Sequence, residues 1–383
     1  MASLEASANA VTTAQRLVIK IGSALLIKDG KLNAAWVSSL VADIAACKAR
    51  GQEIIVVSSG AVALGRAALN VGNKSLTLEE SQAAAAAGQI ALAHGWQARL
   101  AEQDLKAAQV LLTIEDTETR RRYLNARATL NTLLRLGAVP IINENDTVAT
   151  QELRYGDNDR LAARVASMVS ADCLILFSDI DGLYRVAPQA GGKPDPKDHI
   201  AEIDDISPDI LAMAGDAGSP HGSGGMKTKL EAARIASDGG CHMVLTTGHP
   251  LNPLTQLLEG GRATFFRAPD SAQSARKAWI SGALTPAGQL VIDSGAVAAL
   301  ADGRSLLPVG IAQIKGHFER GDCVLVCDAE GNELGRGLTA YSSEDAARII
   351  GRKSDAIAKI LGYTGRSEII HRDDLILKRE DLS

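Results

Sequence analysis

LVIKIG, residues 17–22, decides the fold of the first part of the chain. Apart from Lys20 it is an unbroken apolar run, the pattern of a buried strand. Val37, Leu40, Val41, Ile44 and Ala45 follow at helical spacing. EIIVVSSGA (53–61) is a second strand that ends in a Ser/Gly turn. Ser81 to Glu102 is Ala-rich and helical, AQVLLT (108–113) is a strand, Thr119 to Leu136 is helical, and AVPIINEND (138–146) is a strand. DCLILFSD (172–179) and CHMVLTTG (241–248) complete the series. Strands alternating with helices predict an α/β fold, a three-layer sandwich whose mainly parallel central sheet is covered on both faces. In such sheets ligands bind beyond the carboxyl ends of the strands. The polar loops GSALL, SSGA, NEND, SDIDGLY and TTG all lie at such ends.

The pattern changes after APDSAQSA (268–275). KAWISGAL, GQLVIDSGAVAAL, SLLPVGIAQIKG, DCVLVCD and ELGRGLTAYSS are short strands separated by turns. The expected organisation is a short disordered lead-in at 1–15, the α/β domain at 16–268, a small mostly β domain at 276–353, and a tail at 354–383, polar with an apolar centre, packed on the surface.

Composition removes several classes of function. Aromatic residues are 3% of the 383, too few for a surface built on base stacking. The net charge of −5 leaves no global basic footprint for nucleic acid. Nine basic and nine acidic residues balance between Arg276 and Lys353, which disfavours RNA-backbone binding by the small domain while leaving it a second hypothesis. The five cysteines form no CxxC pair and read as core thiols of a reducing cytoplasm. The N-terminus lacks the basic and apolar regions of a secretory signal. No run approaches the ~18 apolar residues that span a bilayer.

The polar groups converge on anion chemistry. In HGSGGMKTKLEAARIA (221–236), Gly222, Gly224 and Gly225 let backbone N–H groups close on an anion, and the following helix aims its positive end at the same point. Lys227 and Lys229 add two mobile charges. Lys20 interrupts an apolar strand just before Gly22 and Ser23, where an ammonium would lie over transferring phosphate oxygens. Ser58-Ser59-Gly60-Ala61 suits either an anion nest or a plain serine cap of a helix. NENDTV (143–148) crowds Asn143, Glu144, Asn145 and Asp146 at a strand terminus, and Asp157, Asn158 and Asp159 open a helix shortly after. These groups would hold an ammonium or a carboxylate, orient a lysine, or reach Mg²⁺ through water. Two lysines, several anion nests and no nucleophile–His pair point to phosphoryl transfer onto a small anion.

KIGSALL (20–26), VVSSGAVALG (56–65), PIINENDTVA (140–149), YGDNDRLAA (155–163), FSDIDGLY (177–184) and GSGGMKTK (222–229) occur in the order found in the glutamate 5-kinases. The chain from about Arg16 to Arg267 therefore resembles that family of the amino acid kinase superfamily, and the β-rich region resembles a PUA domain. The resemblance implies transfer of the γ-phosphoryl group of ATP, with Mg²⁺, to the γ-carboxylate of L-glutamate, the first step of proline synthesis, with proline as feedback inhibitor. It assigns Lys20 and Lys229 to catalysis, and Ser59, Asp146 and Asn158 to glutamate. Lys20, Ser178, Asp179, Gly222, Ser223, Gly224, Gly225, Met226, Lys227 and Thr228 fall to the nucleotide. Asp157 and Asp159 would organise lysine and metal. A cytoplasmic homodimer or homotetramer, and delivery of the product to glutamyl phosphate reductase, are further expectations. Ser223 stands where threonine is common, and Lys227 leaves the division of labour with Lys229 open.

Overall fold

Arg16–Ile21 is the central strand, β1, of an eight-stranded sheet. The computed structural model describes residues 2–72, 74–149, 158–186, 194–213, 225–269, 271 and 286–377. The chain divides into two units, Met1–Ala272 and Gln273–Ser383. In the first, β1 lies between β2 (Glu53–Ser58) and β5 (Cys173–Ser178), parallel to both. The other strands are β3 (Ala107–Leu112), β4 (Val139–Glu144), β6 (Glu202–Ile203), β7 (His242–Thr247) and β8 (Ala263–Phe266). Their order is β6-β8-β7-β5-β1-β2-β4-β3, and β7/β8 is the antiparallel pair. The register sets Ile21 beside Ser58 and Phe177, and Ser178 beside Thr247, so the carboxyl ends of these strands form one level rim.

The pleat sends alternate residues of β1 to opposite faces. Leu17, Ile19 and Ile21 share a core with α1 (Ala2–Thr13), α2 (Ala34–Ala49), α4 (Leu78–Ala101) and α8 (Pro253–Leu258). Val18 shares the other core with α5 (Arg120–Arg135), α6 (Asn158–Met168) and α7 (Met226–Asp238). Lys20 keeps the parity of Val18 and so lies under α6 and α7. The expected three-layer sandwich is present.

The disordered lead-in is corrected. α1 buries Ser7 and Val11, and Ala14 just beyond it, while Gln52 Nε2 donates to the carbonyls of Val11 (2.9 Å) and Ala14 (2.7 Å). Its apolar side is mostly alanine, which gives little periodic contrast in sequence.

α3 (Ala61–Ala68) crosses α4 in close contact. A Cβ on Gly65 would fall 1.6 Å from the carbonyl oxygen of Ala84, and one on Gly88 would fall 1.8 Å from that of Ala61. Backbone meets backbone here, so neither position has room for a side chain. Ala84 and Ala85 of the Ala-rich stretch 83–87 are buried within the chain, while Ala83 and Ala86 stay exposed.

In the second unit β9 (Gly288–Ile292), β10 (Ile311–Gly316), β11 (Cys323–Cys327), β12 (Glu333–Leu338) and β13 (Leu375–Leu377) form a sheet in the order β10-β9-β11-β12-β13. Its core includes Leu290, Ile292, Phe318, Val324 and Val326. The surface tail is also corrected: Ile369 and Ile370 are fully buried in this core, and β13 pairs antiparallel with β12. Three strand residues among polar neighbours carry little signal until the open edge of β12 supplies their partners. All five cysteines are free and buried.

Gly88→Ala should lower stability by about 2–3 kcal/mol, because overpacking against backbone has no soft neighbour to displace. Thermal unfolding checks this; a melting temperature equal to wild type would show that α3 and α4 separate easily.

Candidate active site

β1 ends in Lys20-Ile21-Gly22, and the chain turns at once into the short helix Ser23–Leu26. Lys20 is held inside by one carboxylate. Its Nζ lies 2.6 Å from Asp159 Oδ1, and Lys229 Nζ lies 3.2 Å from Asp159 Oδ2. Asp159 is fully buried and the lysines nearly so. Thr228 Oγ1 adds a hydrogen bond to Asp159 Oδ2 at 3.1 Å. Burial alone would push this carboxyl up, but the two ammonium groups hold it below the usual carboxylate range. A methyl on Gly22 would sit 3.9 Å from the Lys20 ammonium, so the backbone there runs past the charge. Asp159 stands in the first turn of α6, where the helix dipole also favours an anion.

One residue earlier, Asn158 makes a second set of contacts. Its Nδ2 donates to Ser59 Oγ at 2.7 Å and to Asn143 Oδ1 at 3.1 Å. Asn143 Nδ2 donates in turn to Gln89 Oε1 of α4 at 2.9 Å. Asn158 Oδ1 is buried and has no hydrogen-bond partner among the described residues. The first two residues of α6 therefore join an amide cluster to the lysine pair. Ser59 is not a helix cap: Gly60, at φ 105°, caps α3 in the left-handed region that favours glycine, and no side chain caps that end. The serine hydroxyl faces Asn158 instead.

Asp146 lies half-buried in the turn after β4. Burial pushes its carboxyl up to about 6. Ser178 closes β5, with its Oγ donating to Asp179 Oδ1 at 2.9 Å, and Asp179 is exposed. Gly225 caps α7, and Met226, Lys227 and Thr228 form its first turn. Lys227 is exposed whereas Lys229 is buried on Asp159, which separates the two lysines spatially. Asp157, Gly222, Ser223 and Gly224 lie outside the described residues. The structure thus brings Lys20, Lys229 and Asp159 together, and Ser59 and Asn158 together. It places Asp146 after β4 and the Ser178–Asp179 pair at the end of β5, with β1 and β2 between those two strands in the sheet. Gln89 was not anticipated; its one trace in sequence is a polar side chain seven residues after Gln82 on an Ala-rich helix.

The model of the amino acid kinase family matches residues 15–247, and that of the PUA domain matches residues 288–361. A glutamate 5-kinase from Paramagnetospirillum magneticum is 60% identical over 370 residues, covering 96% of this chain and 99% of its own. A glutamate 5-kinase from Rhizobium etli is 54% identical over 368 residues, covering 96% and 94%. A solved carbamate kinase from Giardia lamblia, bound to AMP-PNP, is 16% identical, covers 67% of this chain and 99% of its own, and has a TM-score of 0.45. Among the described residues no helix is long and apolar enough to cross a membrane.

Asp146 favours its proton more in the folded chain, at about 6, than in an unfolded one, at about 3.9. The folded state then binds more protons across that window, so this group costs stability as pH rises through it. Asp146→Asn should raise the melting temperature at pH 7.5 and leave it nearly unchanged at pH 4. A variant no more stable than wild type at pH 7.5 would mean that Asp146 is well solvated.

Proposed function

The chain belongs to the glutamate 5-kinases of the amino acid kinase family and is a kinase; on that premise we propose that it transfers the γ-phosphoryl group of ATP to the γ-carboxylate of L-glutamate. The observation that carries the reading is Asp159 held between Lys20 and Lys229, one residue from the Asn158–Ser59 contact. A site for positive charge on a transferring phosphoryl group adjoins a site of neutral amides and a hydroxyl.

The acceptor carboxylate is ionised at neutral pH, so the reaction needs no general base. Catalysis rests on alignment and on charge neutralisation. Lys20 and Lys229 neutralise the phosphoryl oxygens as negative charge spreads, and Asp159 holds both ammonium groups on one side of the gap. Ser59 Oγ and Asn158 Oδ1 offer acceptors to the substrate's α-ammonium, and the Asp146 carboxylate supplies the negative charge for it. Ser178, Asp179, the residues 222–225, and Met226 to Thr228 receive the nucleotide, with exposed Lys227 acting on ATP affinity rather than on turnover.

Mg²⁺, when bound with the nucleotide, would supply positive charge that offsets the charge of the phosphates. Among the described residues no three His, Cys, Asp or Glu side chains converge on one point. Such a lining suits an ion that keeps much of its water and arrives on the phosphates. Asp157 and Asp159 are the candidates to orient it. Proline feedback, a dimer or tetramer, a cytoplasmic setting and delivery of the acyl phosphate to a reductase extend the proposal on the family resemblance.

Hydroxylamine trapping of the acyl phosphate tests the reaction with L-glutamate against aspartate, N-acetylglutamate and carbamate. A glutamate-dependent signal that needs ATP and Mg²⁺ is expected; its absence in folded protein would sink the proposal. Lys20→Ala and Lys229→Ala should each lower kcat by about 10³-fold or more, the scale of losing a charge that acts in the transition state. Lys227→Ala should act mainly on the KM for ATP. Asp146→Ala should chiefly raise the KM for glutamate. In the wild type, kcat/KM for glutamate should fall as pH drops below about 6, as the Asp146 carboxyl takes up its proton. A profile flat down to pH 5 would remove Asp146 from the substrate site.

A further inference from the structure

We propose that Gln89 is a positioning residue that sets the donor and acceptor polarity of the amino-acid subsite through Asn143 and Asn158. This rests on the glutamate reading of that subsite. The argument is one of direction. A side-chain amide presents an oxygen that only accepts and a nitrogen that only donates. Gln89 turns Oε1 to Asn143, so Asn143 must meet it with Nδ2. Asn143 is buried, and its other end, Oδ1, then faces Asn158. Asn158 must answer with Nδ2, whose second proton goes to Ser59 Oγ. Both of its N–H groups are taken, and Oδ1 is left buried without a partner among the described residues. An orphan acceptor in a site that takes an amino acid is suited to an ammonium group.

Gln89 thus acts at the start of a relay whose last member touches the substrate. Without its oxygen, Asn143 is free to turn over and offer Nδ2 to Asn158. Asn158 would then turn its own oxygen inward and its N–H groups toward the substrate, where they would repel an ammonium. The helix that carries Gln89 is anchored to the same segment a second time. Gln82, seven residues earlier and on the same helix face, donates from Nε2 to the carbonyl of Ala149 at 3.0 Å. α4 therefore grips the chain between Asn143 and Ala149 at both ends.

The test compares steady-state kinetics of Gln89→Met, which keeps length and removes polarity, with Gln89→Glu, which keeps an acceptor for Asn143. Gln89→Met should raise the KM for L-glutamate about ten-fold with kcat within about two-fold, the signature of lost substrate binding. Gln89→Glu should stay within about three-fold of wild type in KM. On an Asn158→Ala background the Met substitution should add less than about two-fold, because residues of one relay are not additive. A wild-type KM in Gln89→Met, a Glu variant as impaired as the Met variant, or full additivity in the double variant would each overturn the assignment. Should Gln89→Met fail to fold, Gln89→Ala carries the same expectations. Wild-type protein that forms no γ-glutamyl hydroxamate would overturn the functional reading and this assignment with it; active wild type with an indifferent Gln89 overturns this assignment alone.

Discussion

One buried carboxylate between two buried ammonium groups organises the first unit. Asp159 belongs to α6, Lys20 to β1 and Lys229 to α7, so the pair of contacts ties a central strand to two helices of one covering layer. Removing one partner of such a buried pair typically costs about 3–5 kcal/mol, since the remaining charge is left desolvated and alone. The contacts bring two ammonium groups to the end of the sheet where α/β folds accept an anion.

α6 carries two kinds of chemistry on adjacent residues. Asp159 faces the lysines, and Asn158 faces Ser59 and Asn143. The two donor sets cannot drift apart, because a single peptide bond joins their centres. For a transfer between two bound reactants, fixing that separation replaces an encounter by an alignment. Partially exposed Arg160, the residue after Asp159, pairs with Glu231 and joins α6 to α7 a second time. Asp146 sits at the edge of this arrangement with a carboxyl pushed up by burial, so the fold tolerates a group that weakens it above pH 6. Such groups concentrate at functional sites.

Several features were decided by sequence. Six runs of apolar residues, from LVIKIG to CHMVLTTG, are long enough to be strands, and their alternation with helical patterns leaves a parallel sheet as the economical solution. Lys20 was conspicuous because a charge in an apolar run needs a reason. The ordered motifs point to the family that the comparisons show. α1 leaves little trace in sequence because alanine contributes little contrast between its faces, and the tail strand leaves little because three residues are too few to read without their partner.

What the tertiary structure alone decided is which polar groups meet. Ser59 and Asn158 are 99 residues apart in sequence, Asn143 and Gln89 are 54 apart, and Lys229 and Asp159 are 70 apart. No local pattern encodes those distances; they follow from strand order and from which face of the sheet each helix covers. The same holds for the two lysines of α7. Lys227 and Lys229 look alike in sequence, but a helix turns about 100° per residue. Two positions therefore separate an exposed charge from one buried on Asp159. Sequence determined the elements and their chemistry, because apolar spacing and residue type are local properties. Tertiary structure determined the site, because contact across a sheet is not.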